Sequence, residues 1–296
     1  MFKEDYVIST DSSADFTLED AKRLGVEVIY FEVSLDGKLY KKESDIKPEK
    51  FYKDIEKKYI VPKTTQISFL RYKEHFDSFL KKGKCVLHIS FSSGLSGTYS
   101  QALSAARELN SVYSERKVLV VDSLCASVGQ GLLVHYACMK KKHEKINFQE
   151  LFHWVSETRF KANHFFTVND LFYLKKGGRI SSTTAIVGSV LSIKPILTID
   201  AQGKISISSK VRGTRAAINN IVKNIESRLT VSKDFGKIIV AHTHNTVFAN
   251  ELKDEIKKAV NITDISTRYI GPSVGSHLGP GAIAAAFFGS DRRSDL

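Results

Sequence analysis

Lys84-Cys85-Val86-Leu87-His88-Ile89-Ser90-Phe91-Ser92-Ser93-Gly94-Leu95-Ser96-Gly97-Thr98-Tyr99, running on to Asn110, is where the fold can be read. Lys84 to Ser90 is a short apolar run of strand length. From Thr98 to Asn110, Tyr99, Ala102, Leu103, Ala106 and Leu109 recur on one helical face. A Ser/Gly loop joins the two, so the stretch is one strand–loop–helix unit.

The unit repeats on both sides. Upstream, Tyr6 to Thr10 reads as a strand, Asp11-Ser12-Ser13 as a turn, and Thr17 to Leu24 as a helix stopped by Gly25. Val26 to Leu35 reads as a strand with a hairpin signal at Asp36-Gly37. Glu49 to Tyr59 and Phe69 to Lys82 are helical. Downstream come a strand over Lys117 to Ser123 and helices over Ala126 to Lys142 and Phe148 to Lys161. Repeated strand–helix alternation implies a wound parallel sheet.

Past residue 160 the pattern changes. His164 to Val168 is a strand, and Lys175-Lys176-Gly177-Gly178-Arg179 a basic turn. Thr183 to Ile193 is apolar and helical. Ile196 to Val211 is a hairpin turning near Ala201-Gln202-Gly203. A helix (Thr214 to Leu229), a strand (Lys237 to His244), a helix (Val247 to Val260) and a strand (Asp264 to Ile270) follow. The expectation is an α/β protein of two domains. Residues 1–160 form an N-terminal parallel α/β domain, and residues 161–296 a C-terminal mixed or antiparallel one.

Composition is that of a folded globular chain, with 42% hydrophobic and 26% charged residues among 296. No run of about 18 apolar residues suggests a transmembrane helix. Met1-Phe2-Lys3-Glu4-Asp5 lacks a signal core, so a cytoplasmic location is expected. Cys85, Cys125 and Cys138 are odd in number and lack CxxC spacing, as buried thiols would be. A net charge of +12 fits an anionic membrane surface or an acidic partner. No nucleic-acid motif is present, so nucleic acid is not an expected partner.

Three loops carry the chemistry. Ser92 to Tyr99 lies at the carboxyl edge of a parallel sheet, where ligands bind. Its glycines admit close backbone approach, and Ser92, Ser93, Ser96 and Thr98 add hydroxyls to a helix amino terminus. Local chemistry leaves two readings, an anion site or a Ser/Thr cap. Neither a P-loop, GxGxxG nor a GxSxG nucleophile elbow is present. Pro62-Lys63-Thr64-Thr65-Gln66-Ile67-Ser68 again clusters hydroxyls before a helix. Ser276-His277-Leu278-Gly279-Pro280-Gly281-Ala282 places a His among small residues at a strand end, either structural or near a headgroup. His242-Thr243-His244 has HxH spacing without a third ligand nearby, so no metal is expected.

Taken in order, Asp11-Ser12-Ser13, Lys63-Thr64-Thr65-Gln66, Ser92 to Tyr99, Gly177-Gly178-Arg179-Ile180 and Ser-His277-x-Gly-Pro-Gly resemble the DegV family over essentially the whole chain. The usual Thr-Ser-Gln-Pro is Thr64-Thr65-Gln66-Ile67 here, which loses a turn-stiffening proline but keeps both hydroxyls. The resemblance implies a non-catalytic subunit of bacterial fatty-acid kinase. Such a subunit holds a long-chain fatty acid between two domains and presents its carboxylate to an ATP-dependent kinase subunit. It then carries the acyl phosphate, without any cofactor of its own. It implies Thr64 and Ser96 as carboxylate donors, with His277 nearby and Ser93 and Gly97 in the same loop. Arg179 and Arg212 fall at basic positions that the family places near the partner surface or headgroup, which implies docking to the kinase or transiently to an anionic membrane.

A desolvated carboxylate needs several donors, and the hydroxyl loops supply neutral ones without burying a Lys or Arg. Burying about 15 methylenes stabilises by roughly 12 kcal/mol before ordering costs. The expected tunnel wall is Ala185 to Leu191 with Ile193, Ile196 and Leu197; the other reading of these residues is ordinary core. Two rival functions remain. One is a serine hydrolase or acyltransferase using Ser96 and His277, which needs an acidic third member. The other is a phosphate binder, which needs a nucleotide motif that is not found.

Overall fold

The computed structural model describes residues 5–58, 60–180, 193–230 and 235–295. Strand β1 (Tyr6–Asp11) passes through a 3-10 turn to helix α1 (Leu18–Leu24). Thr17 caps α1 by accepting the Asp20 N–H, and Gly25 closes it at φ 67°. β2 (Val26–Ile29) then pairs parallel with β1.

The strand expected over Val26 to Leu35 is two. The break falls at Tyr30-Phe31, where the Phe31 N–H donates to Ser12 Oγ at 3.0 Å and Arg71 donates to the Tyr30 carbonyl at 2.8 Å. β3 (Glu32–Leu35) and β4 (Lys38–Tyr40) form the expected hairpin, with Asp36 and Gly37 at φ 52° and 76°. After α2 (Pro48–Lys58), β5 (Lys63–Thr65) pairs antiparallel with β3, where a loop was expected. Then follow α3 (Phe69–Leu80), β6 (Cys85–Ser90), α4 (Thr98–Val112) and β7 (Val118–Asp122). The result is a parallel sheet of order β2-β1-β6-β7 and a small sheet of order β4-β3-β5.

Helices α5 (Ser127–Glu144) and α6 (Phe148–Thr158) lead into β8 (Ala162–Thr167) and α7 (Phe172–Lys176). Of the expected Thr183–Ile193 helix, only Ile193 lies within the described residues, and it opens strand β9 (Ile193–Ile199). β10 (Ile205–Arg212), α8 (Thr214–Arg228), β11 (Lys237–His242), α9 (Thr246–Ala259) and β12 (Asp264–Tyr269) follow. The chain closes with α10 (Pro272–Leu278), which was not expected, and β13 (Ile283–Phe288). These strands form a sheet of order β10-β9-β8-β13-β11-β12, in which β11–β12 is parallel and the other pairs antiparallel.

Helix α5 explains how the halves join. Ser127 to Val134 are all buried, as in a helix enclosed on every side. One apolar cluster runs from Ile8, Leu87 and Ile89 through Leu132 and Leu133 to Ile239 and Ala286, so it spans both large sheets. Two glycines set the close contacts. A Cβ at Gly129 would collide with the His164 ring on β8, and one at Gly131 with the Ala14 carbonyl beyond β1. All three cysteines are buried.

Candidate functional site

A cavity of about 290 Å³ lies between the halves, walled by residues from Ser13 to Val128 on one side and from His164 to Ala286 on the other. The Ser92–Gly97 loop forms part of its rim. The loop is tied across the interface, with Ser92 Oγ donating to the Gly203 carbonyl at 2.7 Å. Gly94 is packed so tightly there that a Cβ would sit 2.7 Å from Gly203 O. Leu95 and Ser96 both donate their N–H groups to the Ser92 carbonyl. Ser96 Oγ accepts the Thr98 N–H at 3.2 Å and lies 2.8 Å from Thr98 Oγ1. If Thr98 supplies that shared proton, the Ser96 hydroxyl hydrogen is left to donate to a ligand. Ser96 thus satisfies the first N–H of α4, and in that arrangement its hydroxyl is compatible with both sequence readings.

Thr64, on β5, meets His277, on α10, with Oγ1 2.9 Å from Nε2. Two buried carboxylates fix the start of α10. Asp15 accepts the Gly271 N–H and Glu43 the Ser273 N–H, each at 2.8 Å. Ser127 Oγ also donates to Asp15. Burial pushes Asp15 up to about 7 and Glu43 up to about 8, with Asp15 adding to the rise at Glu43. His277 goes the other way, down to about 4, through burial and then the nearby Arg179 charge. It is neutral near pH 7, so one ring nitrogen donates and the other accepts.

Thr64, Ser96, Gly97, His277 and Arg179 all line the cavity. Gln66 packs beneath Gly97, where a Cβ would lie 2.7 Å from its Oε1. Of the two places the resemblance allowed for Arg179, partner surface or headgroup, it lies on the cavity side. Its Nε donates to the Leu95 carbonyl at 3.1 Å and Nη1 to the Gly177 carbonyl, which turns the half-buried guanidinium toward the cavity. The cavity lining therefore includes a cation beside the neutral hydroxyl donors. Arg212 is exposed at the end of β10 and away from the cavity wall. Ser93 is also exposed and off the wall; its N–H donates to Asp122 at 3.1 Å, so it braces the loop.

The apolar wall differs from the expected one. Ala185 to Leu191 lie outside the described residues. Along β9 the side chains alternate, so Ile196 joins the core on the far side of the sheet while Ile199 lines the cavity. Ile193 and Leu197 are not on the wall; Phe31, Phe91, Phe166 and Ile205 are. Sequence reasoning missed Asp15, Glu43 and His164, each buried at or beside this cavity.

Ser96 bonds Thr98 and His277 bonds Thr64, so the two do not form a nucleophile–base pair. Among the described residues, no group of three or more His, Cys, Asp or Glu side chains is placed to hold a metal, and no helix is long and apolar enough to cross a membrane.

A sequence model described as "Uncharacterised protein, DegV family" matches residues 6–290. A DegV domain-containing protein of Clostridium perfringens is 36% identical over 289 residues, covering 97% of this chain and 98% of that one. A DegV family protein from Thermus thermophilus, described for its fatty-acid binding, superposes with a TM-score of 0.85 at 26% identity, covering 97% and 100% of the two chains. A fatty-acid-binding DegV family protein of Streptococcus agalactiae gives 0.85 at 27% identity over the same shares. Match, identity and superposition cover nearly the whole length, and the chain belongs to the DegV family.

Proposed function

We propose that this protein binds one long-chain fatty acid, with the carboxylate at Thr64, Ser96, the Gly97 backbone, Arg179 and His277 and the tail in the apolar part of the cavity. The observation that carries the reading is that Thr64, Ser96, Arg179 and His277 all line one largely apolar cavity, with Thr64 bonded to His277. A charged head needs donors and a tail needs apolar wall, and fatty acids are what the two solved relatives above are described as binding.

We further propose that the protein presents the carboxylate to an ATP-dependent kinase subunit, which forms the acyl phosphate. Residues 1–160 and 161–296 act as two domains closing on the lipid. Arg212, with Lys175 and Lys176, belongs to the docking surface for that kinase or an anionic membrane; all three are exposed. A hydrolase reading finds no support in the partners of Ser96 and His277.

Mass spectrometry of denatured protein purified from a bacterial host tests the binding. The expected result is about one equivalent of long-chain fatty acid. Repeated lipid-free preparations that also refuse oleate and palmitate would overturn the reading.

A further inference from the structure

Arg292 stands in a 3-10 turn after β13, off the cavity wall and only 2% exposed. Among the described residues, its guanidinium meets backbone carbonyls rather than a carboxylate. Nη1 donates to the Ile199 and Asp200 carbonyls at 3.0 and 2.6 Å, and Nη2 to those of Leu124 and Arg159 at 3.1 and 3.0 Å. A buried charge is costly to desolvate. These four carbonyls come from three separate segments, the end of β9, the loop after β7 and the turn before β8. Two of the segments lead to the Ser92–Gly97 loop. The Asp200 carbonyl also accepts the Gly203 N–H at 3.0 Å, and the Gly203 carbonyl accepts from Ser92 Oγ. Next to Leu124, the Cys125 carbonyl accepts the Ser92 N–H at 3.1 Å. Leu124 itself sits at φ 50°, a left-handed conformation that a residue with a bulky side chain keeps only where its surroundings hold it.

We propose that Arg292 is a positioning residue for the carboxylate, holding the Ser92–Gly97 loop in its donor geometry from outside the cavity. The proposal rests on the fatty-acid reading above. Arg292 steadies both groups that hold Ser92, one at its hydroxyl and one at its N–H. The Ser92 carbonyl in turn accepts the Leu95 and Ser96 N–H groups, each at 3.1 Å, and the Leu95 carbonyl accepts from Arg179 Nε. One chain of bonds thus runs from Arg292 to two residues assigned to the headgroup, Ser96 and Arg179. A charged head feels such positioning more than a methylene tail does, because hydrogen bonds are directional and apolar burial is not. The guanidinium is a rigid fork that grips carbonyls on several sides at once, whereas a lysine ammonium is a compact point charge on a flexible stem. Arg292→Lys therefore keeps the buried charge and loosens the grip.

The test measures the affinities of oleate and oleyl alcohol by fluorescent displacement in the parent, Arg292→Lys and Ser92→Ala, each delipidated and shown to be folded by circular dichroism. Arg292→Lys is expected to weaken oleate about tenfold, the scale of one hydrogen bond to a charged group, and to leave oleyl alcohol within about twofold of the parent. Ser92→Ala cuts the bond to Gly203 while leaving Arg292 in place, and should show the same carboxylate-selective loss. If Arg292→Lys does not fold, Arg292→Gln takes its place, and the result for Ser92→Ala still decides. An equal loss for the two ligands, as a general loosening of the fold would give, overturns the proposal. Undiminished oleate affinity in either variant overturns it too. A parent that refuses oleate overturns the fatty-acid reading instead.

Discussion

Thr64 and His277 share one proton, and its position decides whether Thr64 can serve an anion. If Nε2 accepts from Thr64, the hydroxyl hydrogen is spent. If Nε2–H donates, Thr64 is free to donate to a carboxylate, so a bound fatty acid selects that tautomer. Thr64→Val and Ser96→Ala each remove one bond to a charged group, worth about 1.5–3 kcal/mol. Each is expected to weaken oleate binding by roughly 10- to 100-fold, with a smaller effect on oleyl alcohol, in a fluorescent displacement assay. Equal oleate affinity in both variants and the parent would falsify the headgroup assignment. Arg179→Ala tests the placement of the cation. Because Arg179 lowers the His277 pKa, its removal should raise that pKa in an NMR titration and reduce co-purified lipid. An unmoved His277 titration with undiminished lipid would return Arg179 to the surface.

Among the elements, α10 matters most, because it carries His277 and is held at its first turn by Asp15 and Glu43. Both acids have folded pKa values raised above the ordinary carboxylate range, chiefly by burial. Their stability contribution is complete below that range. It falls as pH rises toward 7 and 8, because the unfolded chain releases those protons first. The loss is on the order of 1–3 kcal/mol from each acid between pH 6 and 8.5. The melting temperature should drop over that interval, and a combined Asp15→Asn, Glu43→Gln variant should flatten the slope. Identical slopes would rule these two acids out as its source. This clamp was invisible in the sequence, because its partners stand more than 200 positions apart in the chain. Strand β5 was hidden for another reason. It has three residues and no buried alternation, and only pairing with β3 makes it a strand. The wound sheet was legible because β1, β6 and β7 are apolar runs separated by amphipathic helices. Thr64, Ser96 and His277 stand out as a set only through the resemblance to the DegV family, because each loop alone also reads as a cap or a structural turn, and only the fold brings the three to one cavity. Arg179 was seen, but its direction depends on the carbonyls of Leu95 and Gly177, which only the fold brings to it.

At the scale of the whole molecule, the two sheets meet around α5, and the proposed ligand lies between them. A ligand that binds only the folded state stabilises it by mass action, about 2.7 kcal/mol at a hundredfold excess over Kd. Oleate added to delipidated protein should therefore raise the melting temperature, and an unchanged transition would argue against binding between the halves. The bonds from Ser92 to Gly203 and from Thr64 to His277 add a kinetic consequence. Both tie the two halves together beside the cavity, so on the fatty-acid reading a bound lipid is expected to leave only when they part. Transfer to acceptor vesicles should then run at a rate set by the protein's own opening. It should level off as vesicles are added, the mark of a carrier that keeps its own clock.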